Sequence, residues 1–437
     1  MTSQQGTEIP PTADQRPTHV RYVVVAFCIV LAIITYIDRV SMSFAAPYIR
    51  KDLGISEPMM GWIFAAFAWA YALFEIPGGY LGDRIGPRKV LLRVVLWWSF
   101  FTAALGWAWS YTSLLVTQFL FGAGEAGCFP NVNKAFTAWL PAHEKVRAHG
   151  VLWLFARWGG AFGPLLLGWV ISHVGWRHAF PIFGMLGVVW AVCFYFWFQD
   201  DPMKKAGLND AERELLRGNA KLAPGRAPIP WRKALATSQT WLLCAQYFSH
   251  SYGFYFYITW LPTYLREARH VPLMTSAALS GLPLFCGGIG CSVGGLLIKP
   301  VTRLTGSMAR TRRMMAFTGF AGACGLILVS TTVASPVLTM LVIGAAGFFS
   351  DLVMPNAWPA TMDVGGRFAG TLSGAMNMSG NIGGSLCPIA IGYILRHSNH
   401  NWALTFYLSA AVYLMGGVCW LFLDPVTPIE KDLAAAA

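Results

Sequence analysis

Apolar residues run along this chain in blocks of about twenty, separated by short polar breaks, without the two-residue alternation of a half-buried strand. A helix needs about 20 residues to cross a ~30 Å hydrocarbon layer. At that scale twelve blocks stand out: 20–47, 59–81, 90–109, 113–139, 148–172, 178–198, 239–265, 273–298, 314–334, 336–361, 368–395 and 402–423. The expected fold is an all-α membrane protein of twelve transmembrane helices. One long polar stretch, Gln199 to Ser238, divides the spans six and six and reads as a connector between two units. The expected organisation is a disordered tail over 1–19, a six-helix bundle over 20–198, a linker over 199–238, a second bundle over 239–423 and a tail over 424–437.

An internal repeat supports the division. The fifth span carries Gly159, Gly160, Pro164, Gly168 and Trp169, and the eleventh carries Gly383, Gly384, Pro388, Gly392 and Tyr393, each displaced by 224 residues. Trp176 and Phe180 are echoed by Trp402 and Phe406, and Gly78-Gly79 by Gly294-Gly295. Two related six-helix halves in parallel orientation are a transporter plan, with the substrate path at their interface near the bilayer midplane.

Composition agrees. With 55% hydrophobic and 12% charged residues, the 437-residue chain has about half the charge of a soluble protein. The net charge of +12 would point to nucleic acid in a soluble protein, but here its distribution matters more. With the N-terminus and the loops after even-numbered spans placed in the cytoplasm, 23 of the 32 Lys and Arg fall inside, counting Arg21 and Arg93 at the cytoplasmic ends of their spans, 6 fall outside and 3 lie deeper within spans. Both termini are therefore expected in the cytoplasm, with the lipid bilayer as surroundings and no nucleic-acid partner. The nine cysteines are dispersed in apolar runs without CxxC spacing, so neither a disulfide framework nor a metal site is expected. The polar segment before Val20 lacks the pattern of a cleaved export signal.

The loop after the second span holds Gly79, Asp83, Arg84, Gly86, Arg88 and Lys89 in the pattern G-x3-D-[RK]-x-G-x-[RK]-[RK]. At these residues the chain resembles the major facilitator superfamily. The resemblance implies a gate: Gly79 allowing close helix approach, Asp83 pairing with a basic group across the half-interface, and Arg84, Arg88 and Lys89 holding the cytoplasmic face.

Ionisable residues inside a membrane are expensive and point to function. Asp38 and Arg39 fall in the first span and Glu125 in the fourth, the two carboxylates at roughly 14 and 18 Å from the outer end by helical rise. They are expected to share one cavity. Adjacent Asp38 and Arg39 point about 100° apart, which leaves Arg39 free for another partner. A guanidinium holds an anion bidentately, so Arg39 suits an anionic substrate. The alternative is a structural salt bridge between spans 1 and 4.

Asp38-Arg39, the Gly-x-Gly-Glu run ending at Glu125, and Trp260 to Tyr264 resemble the anion:cation symporter branch, which includes sialin and bacterial galactonate and hexuronate transporters. The resemblance implies proton roles for Asp38 and Glu125, a carboxylate contact for Arg39, and substrate-lining positions at Tyr36, Tyr71 and Asn377. One position departs from the branch: Gln118 stands where an Arg is usual, on the same helix face as Glu125. Glu125 thereby loses its expected cationic neighbour, and Arg157 is the candidate replacement, with Asn381 as its repeat equivalent. Gln118, Arg157 and Asn381 are also candidate substrate-binding residues, and His250, Tyr255 and Trp358 are further candidates to line the cavity, each with a packing alternative. Glu75 reads as a gate or half-interface contact, and Asp351 has no evident Arg partner. The functional expectation is a monomeric, proton-coupled importer of a small organic anion such as a sugar acid, in a bacterial inner membrane, without cofactor or enzymatic activity. An exporter or antiporter and a non-transporting membrane sensor are the alternatives.

Overall fold

A computed structural model describes residues 16–217, 237–365 and 369–428, and all regular structure among them is helical. The first half comprises α1 (Val20–Leu53), α2 (Glu57–Ile85), α3 (Pro87–Leu105), α4 (Tyr111–Glu125), α5 (Cys128–Trp139) and α6 (Ala142–Trp197). A short helix, α7 (Asp210–Arg217), precedes the second half. That half contains α8 (Ser238–Thr259), α9 (Leu273–Ser280), α10 (Leu282–Thr305), α11 (Met308–Ser330), α12 (Pro336–Asp351), α13 (Met354–Gly365), α14 (Ala369–His397) and α15 (Trp402–Phe422). Seven helical stretches among the described residues are long and apolar enough to cross a membrane.

Helix ends follow local chemistry. Ser110 caps α4 in a reciprocal capping box with Ser113, and the Ser335 hydroxyl accepts from Leu338 N at the start of α12. The fifth and sixth expected spans form one continuous helical stretch, interrupted only at Gly175, whose φ of 76° and ψ of 165° reverse the chain without an intervening loop. Two other expected spans are divided. The fourth breaks between Glu125 and Cys128, and the tenth between Asp351 and Met354. The first break lies beside a close crossing, where a Cβ on Gly78 would come within 2.5 Å of Gly127 Cα, so a side chain at 78 has no room there.

The halves meet along α2 with α14 and along α6 with α9 and α10. Trp158 of α6 stacks on Phe285 of α10 with centroids 5.7 Å apart. On the face opposite the N-terminus, which we call the far face, Arg50 binds Glu57 and, at 2.9 Å, Glu267 of the second half. On the tail face, buried Arg21 and Glu212 pair at 2.9 Å and Arg21 also bonds Glu144 at 3.0 Å, docking α7 onto the starts of α1 and α6. Thr18, in the expected tail, donates its hydroxyl to Glu212. Residues 1–15 of that tail and 429–437 of the other lie outside the described residues.

Candidate functional site

The α1 helix carries three side chains into the interior. Tyr36 and Asp38 are buried, and Arg39 is largely so. Arg39 Nε donates to Glu125 Oε1 at 2.6 Å and its Nη2 reaches the same oxygen. The rings of Tyr36, Phe67 and Tyr71 stand 5.5, 5.2 and 5.0 Å from the guanidinium carbon, an aromatic enclosure that stabilises a cation. Glu125 is fully buried and its Oε2 has no hydrogen-bond partner among the described residues. A small cavity opens beside the pair, lined by Arg39, Phe64, Gln118, Phe121, Tyr255 and Thr259, so both halves contribute. Gln118 Oε1 is buried and unpaired there.

Gln118 thus leaves Glu125 without a helix-4 arginine, yet Glu125 does not lack a cation. Arg39 supplies it, and the expectation that Arg157 would do so is corrected. The 100° offset between residues 38 and 39 gives them different neighbours: Arg39 bonds Glu125 of α4, whereas Asp38 lies beside Trp98 of α3. Both Asp38 oxygens are buried and bond nothing among the described residues. The neighbouring Trp98 indole is also buried and short of hydrogen-bond geometry.

Arg157 crosses to the second half. Its Nε lies 3.1 Å from Asp351 Oδ2 and its Nη2 donates to Oδ1 at 3.1 Å, while Phe254 lies 4.1 Å beneath the guanidinium carbon. Asp351, for which the sequence offered no partner, therefore has two candidates, because His250 Nε2 is 3.5 Å from Oδ1 and His250 Nδ1 is 3.2 Å from Ser350 Oγ. Tyr247 stacks on His250 and meets Trp358 edge-on. A signal for Asp351 was present: it follows Glu125 by 226 residues, close to the 224 of the helix repeat, and each acid ends its helix at an interruption.

The remaining candidates are spread more widely. Asn377 donates to both Glu75 oxygens, at 2.7 and 2.8 Å, a contact between α14 and α2 that agrees with a half-interface role for Glu75. Asn381 donates to Asn377 O at 3.2 Å. In the loop between α2 and α3, Gly86 adopts a φ of 82°, and Arg88 bonds Tyr195 O, Gln199 Oε1 and, through its backbone N–H, Asp200 Oδ1. Arg88 thus ties the loop to the end of α6 in its own half. Arg84 lies over Tyr80 and Lys89 is exposed. Gly79 sits beside Pro130, and the Asp83 side chain lies outside the described residues.

Comparison with known proteins places this architecture. The chain is 33% identical over 414 residues to a probable sulfoacetate transporter of Cupriavidus necator, covering 94% of this chain and 95% of that one. A D-galactonate transporter of Escherichia coli is 27% identical over 430 residues, covering 94% and 97%. Among solved structures, a bacterial homolog of the human lysosomal transporter Spinster, in an inward-facing and unoccupied conformation, aligns with a TM-score of 0.69 at 20% identity, covering 93% of this chain and 95% of that one. At that identity the match speaks for the fold. The Major Facilitator Superfamily sequence model matches residues 28–388, and with this match, the helical architecture and the loop signature together, the chain belongs to that superfamily of membrane transporters and is not an enzyme.

Proposed function

We propose that the protein is a proton-coupled symporter that imports a small organic anion, a sugar acid or related carboxylate, across a bacterial inner membrane. On this reading twelve helices form two halves, 20–198 and 239–423, that rock about a midplane site, and the tail face with both termini is cytoplasmic. The observation that carries the reading is Arg39, an aromatic-enclosed cation beside a two-sided cavity, held by one oxygen of Glu125. A substrate carboxylate takes the place of Glu125 at the guanidinium. Glu125, then buried without a counter-ion, sheds the cost of its charge by taking a proton. Asp38, buried with neither oxygen bonded, is the second proton carrier. The loop of Gly79 to Lys89 holds the cytoplasmic end and touches no cargo. The names of the relatives, transporters of sulfoacetate and galactonate, support an organic anion as substrate.

The test is uptake of labelled acids into vesicles with and without an imposed proton gradient. Acid-stimulated uptake in the parent, lost in Arg39→Ala, is the expected result; uptake indifferent to both the gradient and the substitution sinks the reading.

A further inference from the structure

Besides Arg39, which the anion-carrier reading employs, a second arginine from the middle of a span, Arg157, is buried. Arg157 is 8% exposed, and with its Nε and Nη2 on Asp351 its Nη1 remains buried without a hydrogen-bond partner among the described residues. A guanidinium in an apolar interior is expensive, and a pair serving only to fasten helices gains nothing from a bare donor. The second helical repeat shows that the fold does not require the charge, because Asn381 occupies the equivalent position in α14. The Tyr36 ring stands 5.5 Å from the Arg39 guanidinium carbon and packs against Gly160, three residues along α6 from Arg157, so one phenol adjoins the surroundings of both arginines. Each is neutralised by an acid at the end of a broken helix, Glu125 at the end of α4 and Asp351 at the end of α12. Asp351 has a second group within reach in His250, which offers its carboxylate a bond when the guanidinium is taken.

We infer that Arg157 forms a second oxyanion subsite and that the substrate class is a dianion, one anionic group on Arg39 and the other on Arg157, with Glu125 and Asp351 as the counter-ions it replaces. The inference rests on the anion-carrier reading and narrows it. A monoanion leaves one buried guanidinium with its own acid and gains one charge-assisted contact; a dianion gains two. Carboxylate and sulfonate present the same chemistry to a guanidinium, so the second group is an oxyanion of either kind.

The experiment measures binding to the full-length purified protein, and uptake into vesicles, for matched probes: glucarate against gluconate, and sulfoacetate against sulfoacetamide, which keeps the sulfonate and lacks the carboxylate. The parent is expected to favour at least one dianion over its monoanion by about tenfold or more. The double variant Arg157→Gln/Asp351→Asn removes both charges and leaves no buried ion unpaired; its preference is expected to fall to within about twofold. Arg157→Lys, which preserves the ion pair, is expected to keep a preference above that of the double variant. A purely structural role lowers both members of each probe pair alike and leaves the ratio unmoved. An unchanged ratio in a folded double variant, or equal binding of mono- and dianions by the parent, overturns the inference. If the folded parent neither binds nor transports any of the four probes, the anion-carrier reading fails first and the inference with it.

Discussion

The two buried ion pairs are alike in sequence and different in space. Glu125 and Asp351 stand 226 residues apart, and each closes a helix just before an interruption and meets an arginine. Arg39 reaches Glu125 from the same half, gripping one oxygen inside a ring of aromatics. Arg157 reaches Asp351 from the opposite half and holds both oxygens. If the halves rock as proposed, the first pair travels with its unit, whereas the second spans the moving interface. The comparison separates a cation held within one half from a cation that both halves must bring to its acid; on the dianion inference each takes one anionic group of the substrate. The position facing Asp351 from its own half is His250, where the first half uses Arg39, so the symmetry of the acids is not matched by a symmetry of cations.

The largest effect should come from the within-half pair. Arg39→Ala leaves Glu125 buried and uncompensated, and uptake is expected to fall by roughly two orders of magnitude, equivalent to ~3 kcal/mol. Retention of uptake within about twofold would place the anion elsewhere. Next, Asp351→Asn strands Arg157 between the halves and should cost about 3 kcal/mol of stability, read as a lower thermal midpoint; the double variant Arg157→Gln/Asp351→Asn should recover most of it. Equal destabilisation in single and double variants would show that the cross-half pair is not coupled. Gln118→Arg brings a second cation toward Glu125 in competition with Arg39. Its acid stimulation of uptake is expected to weaken by about tenfold, and a pH titration unchanged both here and in Glu125→Gln would remove Glu125 from the proton path. The smallest effect is expected at the far face, where Glu267 is partly exposed. Arg50→Gln should weaken closure there by roughly 0.5–1 kcal/mol, measured as greater labelling of a cysteine placed at Tyr48. A larger shift than in Asp351→Asn would reverse the ranking of the two cross-half contacts.

Much of this was legible before any coordinates. The apolar blocks place the helices because each must be long enough and apolar enough to sit in hydrocarbon, a local requirement. The cost of intramembrane charge also singled out Asp38, Arg39, Glu125 and Arg157 without reference to packing. What was not legible was their pairing. The sequence offers Arg157 as the cation for Glu125, but a membrane depth is shared by every side chain at that level of the bundle, and only helix rotation and crossing decide who meets whom. Asp351 was passed over because it stands without a cation in its own span; its partner lies 194 residues earlier. The loop signature reads Arg88 as holding a face of the bundle, and its three partners, Tyr195 at the end of α6 and Gln199 and Asp200 just beyond it, are backbone and side-chain groups with no distinctive sequence pattern. The docking of α7 through Arg21 and Glu212 was hidden for a similar reason, since a short charged helix in a polar linker resembles solvent-exposed sequence until its glutamate is buried.

The sequence by itself determined the apolar helices and the few ionisable residues that chemistry would not leave inside a membrane without purpose. These follow from solvation and periodicity, which act on each segment separately. The tertiary structure alone decided that Arg39 belongs to Glu125, that Arg157 crosses to Asp351, and that Asp38 is left with neither. The reason is that ion pairing depends on distances of a few ångströms between helices far apart in the chain, set by the packing of the whole bundle and by no segment within it.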